Sequence, residues 1–102
     1  MVLVQVLLPT RDNERRPIDA ALFAAVRSTL ADRFGGVTAY QRSPASGLWK
    51  RPDGEVDGDE VMMVEVEAAS LDREWWAGYR RQLERDFKQE TVLVRAIAVE
   101  RI

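Results

Sequence analysis

The chain contains neither cysteine nor histidine in its 102 residues. Without thiolate or imidazole ligands, structural zinc, blue copper, iron–sulfur clusters and His-ligated haem are excluded. So are His-based triads, cysteine nucleophiles and redox disulfides. Any acid–base catalyst has to be a carboxylate, a tyrosine, a lysine or an N-terminal amine. We expect no metal and no cofactor. The lack of cysteine fits a cytoplasmic location. Excess positive charge is also missing. Lys and Arg number 15 against 17 Asp and Glu, giving a net charge of −2, which argues against nucleic acid as a partner. No apolar run approaches the ~18 residues of a membrane span. The opening apolar residues lack a basic flank and meet Pro9 at once, so they read as a strand and not as a signal peptide. With 46% hydrophobic and 31% charged residues, the composition is that of a soluble globular protein, expected as a single domain over 1–102.

What is present is a clear alternation of periodicities. Residues 2–8 are nearly continuous β-formers, as in a central strand. Pro17 suits a first helical position. Ile18, Leu22, Val26, Leu30 and Phe34 then recur every four residues, beside Ala21 and Ala25, until Gly35-Gly36 stops the helix. Val37 to Gln41 reads as a strand. Pro52-Asp53-Gly54 marks the tip of a long hairpin, with Leu48 to Arg51 leading in and Glu55-Val56 leading out. Val61 to Glu67 alternates as a half-buried strand. Ser70 is a plausible N-cap for a second helix whose apolar stripe is Leu71, Trp75, Tyr79, Leu83 and Phe87. That helix ends near Gln89, and Thr91 to Val99 closes as a strand. The order β-α-β-β-α-β predicts an α+β, ferredoxin-like sandwich. Two helices cover one face of a four-stranded antiparallel sheet of order 4-1-3-2.

Only one face of such a sheet is covered. With Val4, Val6, Met62, Val64, Val66, Val92 and Val94 turned to the helices, the other face carries Leu3, Gln5, Leu7, Met63, Glu65, Glu67, Leu93, Arg95 and Ile97. Apolar patches of this kind usually mark interfaces or ligand sites. The first expectation is a homodimer through Leu3, Leu7, Met63, Leu93 and Ile97, with Trp49 and Trp76 as further contact candidates. The alternative is a small-molecule ligand in a sheet-face pocket, with Gln5, Glu65, Arg95 and Tyr40 as its polar groups.

Two charged segments invite other chemistry. Residues 53–60 hold five carboxylates, Asp53, Glu55, Asp57, Asp59 and Glu60. Their spacing starts like a calcium loop, but Val64 stands where the bidentate glutamate belongs and Val61 occupies the ninth position. A solvated hairpin is the simpler reading. Arg11, Arg15 and Arg16 lie between the first strand and first helix. If the second helix begins at the same sheet end, Ser70 joins them as an anion-binding group. Without a glycine-rich cradle, a charged surface loop is the simpler reading there too. Arg80, Glu84 and Lys88 read as an outward charge ladder.

Among proteins sharing the fold, an RNA-recognition module needs aromatic residues on its third strand. Val61 to Glu67 has none. A closer resemblance lies in Arg33-Phe34-Gly35-Gly36-Val37-Thr38, Gly47-Leu48-Trp49, Gly54, Glu60, Tyr79 and Phe87-Lys88-Gln89-Glu90-Thr91-Val92-Leu93. This set resembles a small bacterial family known only as a domain of unknown function, over residues 30 to 94. The resemblance implies the ferredoxin-like fold and no particular activity. In the junction, Gln89 and Glu90 are expected to tie the second helix to the last strand.

These observations favour a non-catalytic binding module that homodimerises through its open sheet. The alternatives are a cofactor-independent enzyme, oxygenase- or isomerase-like, and an anion-responsive regulatory domain using Arg11, Arg15 and Arg16.

Overall fold

The computed structural model describes residues 1–36, 38–42, 49–50, 56–57 and 61–102, with only the backbone described among residues 39–57. Its elements are β1 (Val2–Pro9), α1 (Ala20–Phe34), β2 (Thr38–Arg42), β3 (Trp49–Lys50), β4 (Val56–Asp57), β5 (Val61–Ala68), α2 (Arg73–Asp86) and β6 (Leu93–Ala98). β1 runs through the middle of an antiparallel sheet, with β5 on one side and β6 on the other. The backbone of β2 pairs with the outer side of β5, so the strands lie in the order β2-β5-β1-β6. A separate ladder joins Trp49 to Asp57 and Lys50 to Val56. The turn expected at Pro52-Asp53-Gly54 and the rest of the acidic segment lie outside the described residues, as do the side chains of Tyr40 and Trp49.

Strand periodicity of two separates the faces. Val4, Val6, Leu8, Val64, Val66 and Val92 join Val26 and Leu30 of α1 and Trp76, Tyr79 and Leu83 of α2 in one buried cluster. Met62 and Val94 pack against it. Asp19 caps α1 by accepting the Ala21 N–H at 2.9 Å. The helix therefore starts later than Pro17, which instead forms an isolated bridge with Arg11. Gly35 ends α1 with φ of 78°, where a side chain would be strained.

The second helix differs from expectation in phase. Its buried stripe is Trp76, Tyr79 and Leu83, continued by Phe87 just past its end, while Trp75 is only half-buried. Trp76 is 4% exposed, which removes it from the candidate contact surface. Its ring stacks on Phe34 at a centroid distance of 5.3 Å. Trp75 instead carries the Arg33 guanidinium, 4.2 Å above its ring. Asp72, not Ser70, is the N-cap, accepting the Trp75 N–H at 3.1 Å.

At the other end of α2, the Gln89 N–H donates to the Glu84 carbonyl at 2.9 Å, with Lys88 in the left-handed region at φ of 53°. The Gln89 side chain donates to the Phe87 carbonyl at 3.0 Å. The carboxylate that fixes the junction is Glu84, which accepts the Val92 N–H at 2.9 Å. Glu90 is exposed. The outward ladder is thus not formed: Glu84 is turned to the junction, and Arg80 is half-buried with its Nε fully enclosed.

Candidate functional site on the open sheet face

Residues of odd number along β1 point away from the helices, and the strand register lines them up in rows. Arg95, Gln5, Glu65 and Thr38 form one row. Leu93, Leu7, Met63 and Tyr40 form the next, and Ile97, Leu3 and Glu67 lie on the other side.

The middle row is a directional hydrogen-bonded chain. Arg95 Nε donates to Gln5 Oε1 at 2.7 Å, and Gln5 Nε2 donates to Glu65 Oε2 at 2.6 Å. Gln5 is 8% exposed, the buried polar side chain of the described core. Its amide converts a guanidinium on one edge into a donor for a carboxylate two strands away. Charge-assisted bonds of this kind are the stronger ones.

Apolar rows flank the chain. Leu93 and Ile97, on the edge strand β6, are 47% and 45% exposed. Leu3 and Leu7 are half-buried. Met63, expected among the exposed contact residues, is 3% exposed in the single chain. Its strand is flanked by β1 and β2. Glu67 closes its row through an ion pair with Arg101 at 3.0 Å.

At the corner where this face meets the α1–β2 turn, a cleft of about 660 Å³ is lined by Leu3, Phe34, Gly35, Thr38, Glu65 and Arg101, among others. Neither Thr38 nor Arg101 was expected from sequence to be a site residue. Thr38 could have been found from the register opposite Glu65, while Arg101 lies beyond the last strand and gives no periodic signal.

The arginine loop is organised differently from expectation. Asp12 is its hub: Oδ1 accepts the N–H groups of Glu14 and Arg16, each at 2.8 Å, and Oδ2 accepts Arg16 Nε at 3.1 Å. Chiefly the backbone N–H of Arg16 holds the Asp12 carboxyl below its usual pKa; burial opposes it, and the Glu14 N–H and the Arg16 side chain add to the lowering. Arg16 also pairs with Glu14 at 3.1 Å, and Arg11 donates to the Arg15 carbonyl at 3.1 Å. Ser70 is not near this loop. The antiparallel register sets Pro9 beside Val61 and Val2 beside Ala68, so Ser70 follows the far end of β5, about 25 Å away at ~3.3 Å per residue. The loop meets the C-terminal end of α2 instead, where Asn13 approaches the Lys88 carbonyl at 3.5 Å. Among the described residues no group of three or more acidic side chains is placed to hold a metal, and no helix is long and apolar enough to cross a membrane.

No protein-family model and no curated protein matches the chain. Solved structures do match. A phage SAM lyase in complex with S-methyl-5′-thioadenosine superposes with a TM-score of 0.62 at 14% identity, covering 94% of this chain and 79% of that one. The same description of lyase without ligand gives 0.56 at 16% identity, over 94% and 78%. A point variant of CutA1 from Pyrococcus horikoshii OT3 gives 0.59 at 12% identity, over 100% and 86%. At these identities the likeness is one of fold, and it places the chain among small α+β proteins of ferredoxin-like type.

Proposed function

We propose that the chain is a non-catalytic interaction module that self-associates through the open face of its sheet. The observation that carries this reading is the pairing of exposed Leu93 and Ile97 with a polar row already bonded within itself. Covering a polar group is costly when its partner is water and cheap when its partner is already in place. Gln5 both accepts and donates within the row, so a second copy laid over this face gains apolar contact without stranding the amide. The test is sedimentation velocity of Ile97→Asp and Leu93→Asp. Both variants are expected to sediment as single chains with unchanged far-ultraviolet circular dichroism, while the wild-type protein sediments as a larger species. A wild type that sediments as a single chain overturns the reading.

A second reading rests on the corner cleft. Glu65 and Glu67 bring two carboxylates to its walls, and the chain shares its fold with a lyase that holds S-methyl-5′-thioadenosine. On this reading the cleft takes a small molecule and the chain is an enzyme without a resident cofactor. Calorimetric titration with S-methyl-5′-thioadenosine checks it. Saturable heat that Glu65→Gln abolishes supports the reading, and no heat with the folded wild type contradicts it.

A further inference from the structure

The opposite edge of the molecule holds a groove between α2 and β6, with a volume of about 420 Å³. This size lies within the range of small-molecule sites. Arg73, Trp76, Ala77 and Arg80 line it from the helix. They are spaced three, one and three residues apart, which places them on one helical face. Val4, Val94, Arg95 and Ala96 contribute from the strands. No acidic residue is among its described lining.

Two polar atoms here have no partner. The indole Nε1 of Trp76 and the Nε of Arg80 are buried and without a hydrogen bond. Trp76 itself is more than nine-tenths buried. A buried donor left unmade is expensive, and native proteins seldom keep one without a reason. Both atoms are donors, both belong to residues lining the same groove, and they lie one helical turn apart. Neither Arg73 nor Arg80 forms an ion pair among the described residues.

We infer that the α2–β6 groove binds a small organic oxyanion, a carboxylate or a phosphate ester carrying an apolar group. Arg73 and Arg80 supply charge from the groove wall, and the enclosed Trp76 N–H and Arg80 Nε–H are satisfied when their side chains turn toward the bound oxyanion, which has enough acceptor positions for both. The hydrocarbon part rests against Ala77, Val94 and Ala96. The groove meets the open sheet face at Arg95, which lines the groove and also donates to Gln5 on that face, but filling it does not require self-association.

The test is titration of the isotope-labelled full chain with benzoate, phenyl phosphate and uncharged benzyl alcohol, following the Trp76 indole N–H resonance. The expected result is a saturable downfield movement with benzoate or phenyl phosphate and none with benzyl alcohol. The stronger of the two anions names the preferred oxyanion. Arg80→Met is expected to weaken binding at least tenfold, and Arg73→Met to weaken it less, with the remaining resonances in place. Three results overturn the inference. One is no saturable movement at millimolar concentrations of either anion; another is equal movement with benzyl alcohol; the third is unchanged affinity in a folded Arg80→Met protein. Failure of this test leaves the sedimentation behaviour unaffected, so the two proposals fall separately.

Discussion

Val4, Val6, Val64 and Val66 are essentially inaccessible on the helix-covered face of the sheet, while Gln5 and Glu65, one residue along the same strands, run with Arg95 of the neighbouring β6 as a hydrogen-bonded row on the other. The two faces share one backbone and differ only in the parity of the residue number. The covered face is stabilised by apolar contact, which is non-directional and tolerates several packings. The open face is held by directional bonds, which fix where three side chains stand but leave Leu93 and Ile97 half in water. A face of the first kind builds the fold. A face of the second kind is pre-arranged for contact with something else.

Mutations that set one face against the other sharpen this contrast. Leu83→Ala, in the covered core, should cost about 2–5 kcal/mol in urea unfolding. Leu93→Ala, on the open face, should change the stability of the single chain by no more than about 0.5 kcal/mol, measured at low protein concentration. A large loss from Leu93→Ala in the single chain breaks the distinction. Gln5→Ala leaves Glu65 and Arg95 without their shared amide and should cost about 1–3 kcal/mol, between the two. A further effect is confined to high pH. Burial, reinforced by the Asp86 charge and opposed by the Thr29 hydrogen bond, pushes the Tyr79 hydroxyl from its ordinary value near 10 up to about 12. The folded state holds this proton more tightly than the unfolded chain. Its contribution to stability is therefore complete below about pH 10 and is lost as pH rises through about 12. Tyr79→Phe should lack that loss, so the stability gap between it and the wild type narrows across this window. Parallel curves from pH 9 to 12 contradict the assignment.

Much of this arrangement was legible in the sequence. Strand alternation places Val4, Val6, Val64 and Val66 toward the helices because a one-residue slip would turn every side chain over. The phase of α2 was not legible from a run of i, i+4 positions. Four residues turn a helix by 400°, so each step drifts about 40° and a five-member run cannot stay on one face. Tyr79, Leu83 and Phe87 belong to the true stripe, but its first member is Trp76, three residues before Tyr79, and not Trp75. The same error turned Arg80 outward, away from the groove it lines. Ser70 and Asp72 both suit a cap, and only the backbone decides between them. The grouping of Ser70 with the arginine loop failed on topology, since antiparallel neighbours begin at opposite ends. The open row of Gln5, Glu65 and Arg95 was visible as residues, and its direction follows from a guanidinium that only donates and a carboxylate that only accepts, but it is the register that brings the three side by side.

The central claim is that the open face is covered by a second copy of the chain. The most direct measurement is the absolute mass of the wild-type protein by light scattering after size exclusion, over a wide concentration range. The account predicts a stable species of twice the 11.6 kDa chain mass. A mass of 11.6 kDa at every concentration would contradict it and leave Leu93 and Ile97 facing water.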